Sequence, residues 1–236
     1  MLNQVKNFIT NPANSLNIQL QVISIFFNVV LFMLSYYYTN IFINEYHRQR
    51  KTDLQEKVYI AKSILLYHYQ EELNNNLNRS EVKRLALLEI NRLRFSEDNY
   101  IFVYDTKTCE LLVNYTRPDL IGKYRCDVQS SDGQYYVRDM ITIATSVGYG
   151  FITYKFNNAI TKNSKNDNIK ISYIDNFYQW DLMIGCGTHI HDMDIVVDDL
   201  KYMSYRIITF LSLLFLFLMT NISGKIDNRI QELTYK

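Results

Sequence analysis

Residues 99–115 read NYIFVYDTKTCELLVNY, and this stretch decides the fold class. Asn99–Asp105 and Cys109–Tyr115 are both rich in β-branched and aromatic residues, and Thr106–Thr108 separates them, which predicts a β-hairpin. Successive side chains of a strand point to opposite faces. Tyr100, Phe102 and Tyr104 therefore share one face, and Ile101 and Val103 share the other.

Upstream the pattern is helical. From Glu45 to about Asn76 there is no Pro or Gly, and Leu54, Val58, Ala61, Leu65 and His68 recur at spacings of three and four. Ser80 is placed to cap a second helix, with Glu81 in its first turn and Val82, Leu85, Ala86, Leu88 and Leu93 on its apolar side. Downstream, Thr116–Asp132 is looser and holds Pro118 and Gly122. Val137, Met140, Ile141, Ala144 and Val147 then fit one helical face that Gly148 can end. Three further strands are predicted, Gly150–Phe156, Ile169–Asp175 and Tyr178–Gly187, the first two joined by an exposed hairpin loop over Asn157–Asn168. Asp192–Tyr205 reads as a closing helix. The block is α+β, an antiparallel sheet of about five strands with a long N-terminal helix, and not a parallel doubly wound fold.

Two apolar stretches flank this block. Ile18–Tyr38 reads IQLQVISIFFNVVLFMLSYYY and Ile207–Ile222 reads IITFLSLLFLFLMTNI. A membrane-spanning helix needs about 20 mostly apolar residues, and both reach that with their flanks. The expected organisation is a cytoplasmic tail over 1–17, a first span over 18–40, an extracytoplasmic domain over 41–206, a second span over 207–222 and a cytoplasmic tail over 223–236. Tyr36–Tyr38 replace the small residues that a cleaved signal would need, so the first span reads as an anchor. Lys6, Lys225, Arg229 and Lys236 favour tails inside, while Arg48, Arg50, Lys51, Lys201 and Arg206 weigh the other way. Gln19, Gln21 and Asn28 in the first span can bond to a partner helix or lie near the interface.

With 236 residues, one domain of ordinary size remains once spans and tails are removed. A formal net charge of +1 invites no nucleic acid. Cys109, Cys126 and Cys186 lie in the central block, where an oxidising compartment would permit one disulfide. No CxxC is present, and buried thiols without chemistry are the simpler expectation. His189 and His191, with Asp192 and Asp194, make a metal site conceivable. No third ligand is specified, however, and the acidic residues read more simply as a solvated helix face. No metal or other cofactor is expected. Nucleotide-binding, kinase and hydrolase motifs are absent, so no enzyme activity is expected of this chain.

In order along the chain stand Leu93-Arg94-Phe95 with Asn99–Asp105, Arg117-Pro118-Asp119-Leu120-Ile121-Gly122-Lys123, Asp132-Gly133, and Gly150–Phe156. Lys170–Ile174 follows, with Phe177, Trp180 and Gly185-Cys186-Gly187. From about Glu45 to Asp199 this series resembles the single Cache sensor domain of bacterial receptors. The resemblance implies a PAS-like sheet with a pocket on one face that takes small extracellular molecules, often short carboxylates. Where that family usually places a His-Pro pair, this chain has Asn114-Tyr115, which offers a hydrogen bond without positive charge.

A small anion needs donors or a cation in a mostly apolar cavity. The candidate ligand-binding residues are Arg94 and Lys170 for charge, Tyr100, Tyr154 and Tyr173 for hydroxyl donors, and Phe102 and Asn114. The expected function is a multi-pass sensor of the bacterial inner membrane, with ligand binding biasing Asp192–Tyr205 and the second span. Its expected partners are a small-molecule ligand, the lipid bilayer, a second copy along Glu45–Asn76, and a cytoplasmic signalling partner or output domain, which the chain as given does not contain. The alternative is a stand-alone or ligand-independent Cache membrane protein acting through protein–protein contacts.

Overall fold

The computed structural model describes residues 12–95, 99–155 and 169–234, so the predicted loop Asn157–Asn168 lies outside the described residues. Helix α1 runs without a break over Pro12–Asn75, 64 residues. No Pro or Gly occurs between Ala13 and Arg117, and the helix stops where Asn76 takes a left-handed φ of 49°. Leu77 N then donates to Glu72 O (3.2 Å), the closing bond of a Schellman turn.

Helix α2 spans Arg79–Arg92 and is capped by Asn78, whose side chain accepts from Ser80 N, so the cap lies two residues ahead of the predicted Ser80. Its buried stripe is Val82, Ala86 and Ile90. Leu85 and Leu88, predicted to face inward, are exposed, because the sheet takes only the narrow i, i+4 row.

The sheet has the order β2-β1-β5-β4-β3, every neighbouring pair antiparallel: β1 Tyr100–Asp105, β2 Leu111–Asn114, β3 Tyr149–Lys155, β4 Ile169–Phe177 and β5 Leu182–His189. Residues Tyr178–Trp180, predicted to begin the last strand, form a 3-10 turn instead, and β5 starts after Asp181 takes a left-handed φ of 53°. Helix α3 covers Tyr136–Ser146, and Gly148 ends it with φ +99°. Val147, predicted on its buried face, lies past the last turn and is 68% exposed.

Each face of the sheet builds its own core. Leu54, Val58, Ala61 and Leu65 of α1 pack with α2 against Ile101, Val103, Ile171, Phe177, Ile184 and Cys186. Val137, Met140, Ile141 and Ala144 of α3 cover part of the opposite face, against Phe102, Tyr104, Ile152, Tyr154, Ile174 and Met183. The period-two alternation of β1 thus becomes two separate cores.

A buried carboxylate ties the helix side together. Trp180 Nε1 donates to Glu72 Oε2 (2.7 Å) and Arg79 Nε donates to Glu72 Oε1 (2.7 Å), joining α1, α2 and the β4–β5 turn. Burial pushes the Glu72 carboxyl up, but the bonds from Arg79 and Trp180 and the Arg79 charge outweigh it and hold the carboxyl below its ordinary 4.5. A lowered folded pKa stabilises fully above pH 4.5, and that stabilisation is lost as pH falls through the lower folded value. Glu72→Ala orphans the buried indole N–H and is expected to cost about 2 kcal/mol. Glu72→Gln is expected to flatten the acid limb of a melting-temperature profile; an unchanged limb would remove Glu72 from the acid response.

Helix α4 covers Ile190–Thr234. The chain divides into two compact units, Tyr46–Ile195 and the terminal segments up to Glu45 and from Val196. In the terminal unit Phe27 and Phe215 meet with ring centroids 4.4 Å apart, and Ser212 Oγ donates to Asn28 Oδ1. Asn28, one of the polar residues of the first apolar stretch, therefore bonds within the chain. Both helices are long and apolar enough to cross a membrane, and their apolar side chains, such as Phe26, Phe210 and Phe217, are exposed.

Candidate ligand-binding site

The site sits on the α3 side of the sheet and begins with an irregularity. In a regular strand Leu111 and Asn114, three apart, would face opposite ways. The β1–β2 register shifts between Val103 and Tyr104, pairing Phe102 with Asn114 and Tyr104 with Leu111, so Leu112 is the extra residue of a bulge. The bulge places Leu111 and Asn114 together on the face that carries Phe102 and Tyr104.

The loop after β2 folds back over this face. Asn114 Oδ1 accepts from Thr116 N (3.1 Å), Thr116 Oγ1 (2.7 Å) and Arg117 N (3.1 Å), which turns the chain. Pro118–Leu120 makes one 3-10 turn, and Gly122, at φ +79°, returns its N–H to Leu111 O (2.8 Å). Arg125 N donates to Cys109 O (2.9 Å), and Cys126 is joined to Cys109 by a disulfide. The expectation of three unreacted thiols is therefore corrected, because the loop brings Cys126 back beside the hairpin turn. Cys186 is the free, buried one; burial pushes its thiol up to about 11, far from the reactive range.

Loop, sheet and α3 enclose a cavity of about 130 Å³. Its walls are Arg117 and Arg125, the tyrosines 100, 104, 136 and 154, the amides Asn114 and Gln129, and the apolar Phe102, Leu111, Leu120, Val128 and Met140. On β5 the adjacent floor is bare for a reason. A Cβ at Gly185 would stand 2.3 Å from the Phe102 ring, and one at Gly187 would stand 2.2 Å from Ser172 Oγ.

The two arginines differ in what they have left to give. Arg117 holds both oxygens of Asp119 (Nε to Oδ1 and the second nitrogen to Oδ2, each 2.9 Å), which answers its charge. Arg125 lies beside the neutral phenols of Tyr104 and Tyr136, and its Nε–H is buried with no acceptor among the described residues. A buried donor without an acceptor in a cavity wall suits an anionic oxygen.

Burial pushes the phenols of Tyr104, Tyr136 and Tyr154 above their usual value of 10, with neighbouring tyrosines adding to the effect at all three and Arg125 opposing it at Tyr104 and Tyr136. They therefore remain O–H donors at neutral pH. Tyr136 and Tyr154 stack at 4.5 Å, which fixes both rings. One cation among protonated hydroxyls is an arrangement that receives negative charge.

Of the residues proposed from sequence, Tyr100, Phe102, Asn114 and Tyr154 line this cavity. Lys170 lies behind the wall, with Nζ 2.8 Å from Tyr100 Oη. Arg94 lies off the cavity: its guanidinium stacks 4.1 Å from the Tyr115 ring centroid and donates to Asn91 O and Leu93 O beyond the end of α2. Tyr173 is on the opposite face, beside Phe151 (4.9 Å) in the helix-side core. Three positions separate Lys170 and Tyr173, so strand alternation alone sends them to different faces.

Arg125, Gln129 and Tyr136 are not singled out by the sequence, and Arg117 enters there only within the Arg117–Lys123 series, not as a ligand-binding candidate. They come from a loop and a helix start without periodic pattern, where the Arg117–Lys123 series and Cys126 beside Arg125 are the local signals. No cluster of three or more metal-ligating side chains occurs among the described residues. The side chains of His191, Asp192 and Asp194 lie outside them.

The sequence model of the family described as single Cache domain 2 matches residues 46–201. Methyl-accepting chemotaxis protein CtpM of Pseudomonas aeruginosa is 25% identical over 153 residues, 64% of this chain and 26% of that protein. Methyl-accepting chemotaxis protein McpP of Pseudomonas putida is 24% identical over 137 residues, 58% of this chain and 24% of that protein. The chain thus spans about a quarter of the length of the curated relatives it matches. Among solved structures, a periplasmic sensor domain of a chemotaxis protein is similar with TM-score 0.54 and 20% identity, over 61% of this chain and 96% of that one. A Cache chemosensory domain described for its carboxylic acid recognition is similar with TM-score 0.54 and 23% identity, over 62% and 97%. These likenesses show the fold.

Proposed function

The chain belongs to the single Cache domain 2 family, and from that premise we propose that it is the sensing part of a membrane chemoreceptor that binds a short carboxylate outside the cytoplasm. The observation that carries this reading is Arg125, a cation whose Nε–H is buried without an acceptor among the described residues, in a wall of protonated tyrosines. At about 130 Å³ the cavity is well below the ~300–1,000 Å³ of drug-sized pockets, which suits an acid of a few carbon atoms. The curated relatives are chemotaxis receptors, and one solved relative is described for carboxylic acid recognition, which agrees with this chemistry. Asn114 spends its oxygen on the turn, so its amide N–H₂ is what remains for a ligand.

In this reading the apolar stretches Ile18–Tyr38 and Ile207–Ile222 span the inner membrane, and helix α4 carries the bound state to a cytoplasmic partner or output domain. A shift of about 1–2 Å in such a helix is enough, provided the ligand binds the two states with different affinity. Titration calorimetry of the full chain in lipid nanodiscs with two- to four-carbon acids tests the reading. A saturable signal for at least one acid, absent for the matching amide, is expected; heats equal for acid and amide would sink it.

A second copy is proposed along α1. Tyr59, Leu66 and Leu73 recur every seven residues beside Ile60 and Tyr67, and all five are exposed. Leu66→Glu is expected to shift the full chain from dimer to monomer in sedimentation at micromolar concentration. A wild type that sediments as a monomer removes the pairing.

A further inference from the structure

We propose that Lys170, which does not line the cavity, sets the charge selectivity of the site through Tyr100; this rests on the carboxylate reading above. Lys170 is 0% exposed and sits in β4 opposite Tyr154 of β3. Its Nζ lies 2.8 Å from Tyr100 Oη and 4.0 Å from the centroid of the same ring. An ammonium carries three N–H donors and no lone pair, so in this contact Lys170 donates and the phenol oxygen accepts. Tyr100 has a single hydrogen to give, and it must go elsewhere. Tyr100 lines the cavity, so a ligand acceptor can receive it.

Donation from a cation polarises the phenol and strengthens the bond it makes in turn. The positive charge thereby acts on the ligand one residue removed. Space for the lysine stem is kept by a glycine: a Cβ at Gly187 would stand 2.7 Å from Lys170 Cε. A methionine has nearly the same length and no desolvation cost, so packing alone supplies no reason for a buried amine here. Charge selectivity supplies one, because a polarised donor favours a carboxylate oxygen over the amide oxygen of an isosteric neutral ligand.

Propionate and propionamide, titrated into the full chain in nanodiscs, read this selectivity as an affinity ratio. Lys170→Met is expected to lower the propionate-to-propionamide ratio about tenfold, the difference between a charge-assisted and an ordinary hydrogen bond. Tyr100→Phe, which keeps the lysine and the ring, is expected to lower the same ratio, and Lys170→Met added to it is expected to have no further effect. Equal weakening of both ligands in Lys170→Met would overturn the proposal in favour of a packing role. A further tenfold loss in the Tyr100→Phe background would overturn it in favour of direct contact. Wild type that does not distinguish the two ligands removes the carboxylate reading itself, and the relay with it.

Discussion

Arg125→Met is expected to weaken binding of a short carboxylate about 100-fold, because removing one partner of a buried, hydrogen-bonded charge pair costs on the order of 2–5 kcal/mol. The expectation follows from the difference between the two arginines. Arg117 is neutralised by a two-point pair with Asp119, whereas Arg125 meets neutral phenols and keeps a buried Nε–H for an incoming oxygen. Arg125→Lys restores charge without the planar fork and is expected to recover only part of the affinity. Arg117→Met is expected to weaken binding less than Arg125→Met. The reverse ranking in calorimetry, with both variants folded, would make Arg117 the anchor.

The second large effect is on stability. Cys109 and Cys126 are 17 residues apart, and a disulfide closing a loop of about that length stabilises by about 3 kcal/mol in the chain-entropy treatment. Replacing both by serine is expected to lower the melting temperature by roughly 6–12 °C, at about 2–4 °C per kcal/mol for a unit of this size. The same change is expected to weaken ligand binding, since the bond holds the segment whose backbone at Arg125 is tied to Cys109. Melting the wild type with and without a thiol reductant, alongside thiol counting, checks both. Two newly reactive thiols without any drop in melting temperature would show that the bridge does not carry stability.

Most of the scaffold was legible because it rests on periodicity. The alternation in Tyr100–Asp105 separates Phe102 and Tyr104 from Ile101 and Val103, and the structure places these pairs in different cores. Leu54, Val58, Ala61 and Leu65, at helical spacing, form one buried row. The boundaries drifted where a local hydrogen bond decides, as at Asn78, which caps α2 ahead of Ser80, and at Tyr178–Trp180, which curl into a turn.

The site was legible only in part. Tyr100, Phe102 and Tyr154 stand on strands, where alternation tells which residues travel together. Arg94 and Lys170 stand out by charge, and charge does not reveal direction: one stacks on Tyr115 and the other lies behind Tyr100. Tyr173 shows the remaining gap, since alternation says that it opposes Lys170 but not which face the helices cover.

By itself the sequence determined the α+β class, the order of strands and helices, and the two apolar stretches, because each depends on the spacing of residue types along the chain. Only the tertiary structure decided that Cys109 meets Cys126, that the bulge at Leu112 turns Leu111 and Asn114 to one side, and that Arg125 becomes the cation of the cavity. The physical reason is that these depend on a loop returning to the sheet. Its path is set by a few turn bonds, Gly122 and Gly133 at positive φ and one disulfide, and none of these leaves a periodic trace in the order of residues.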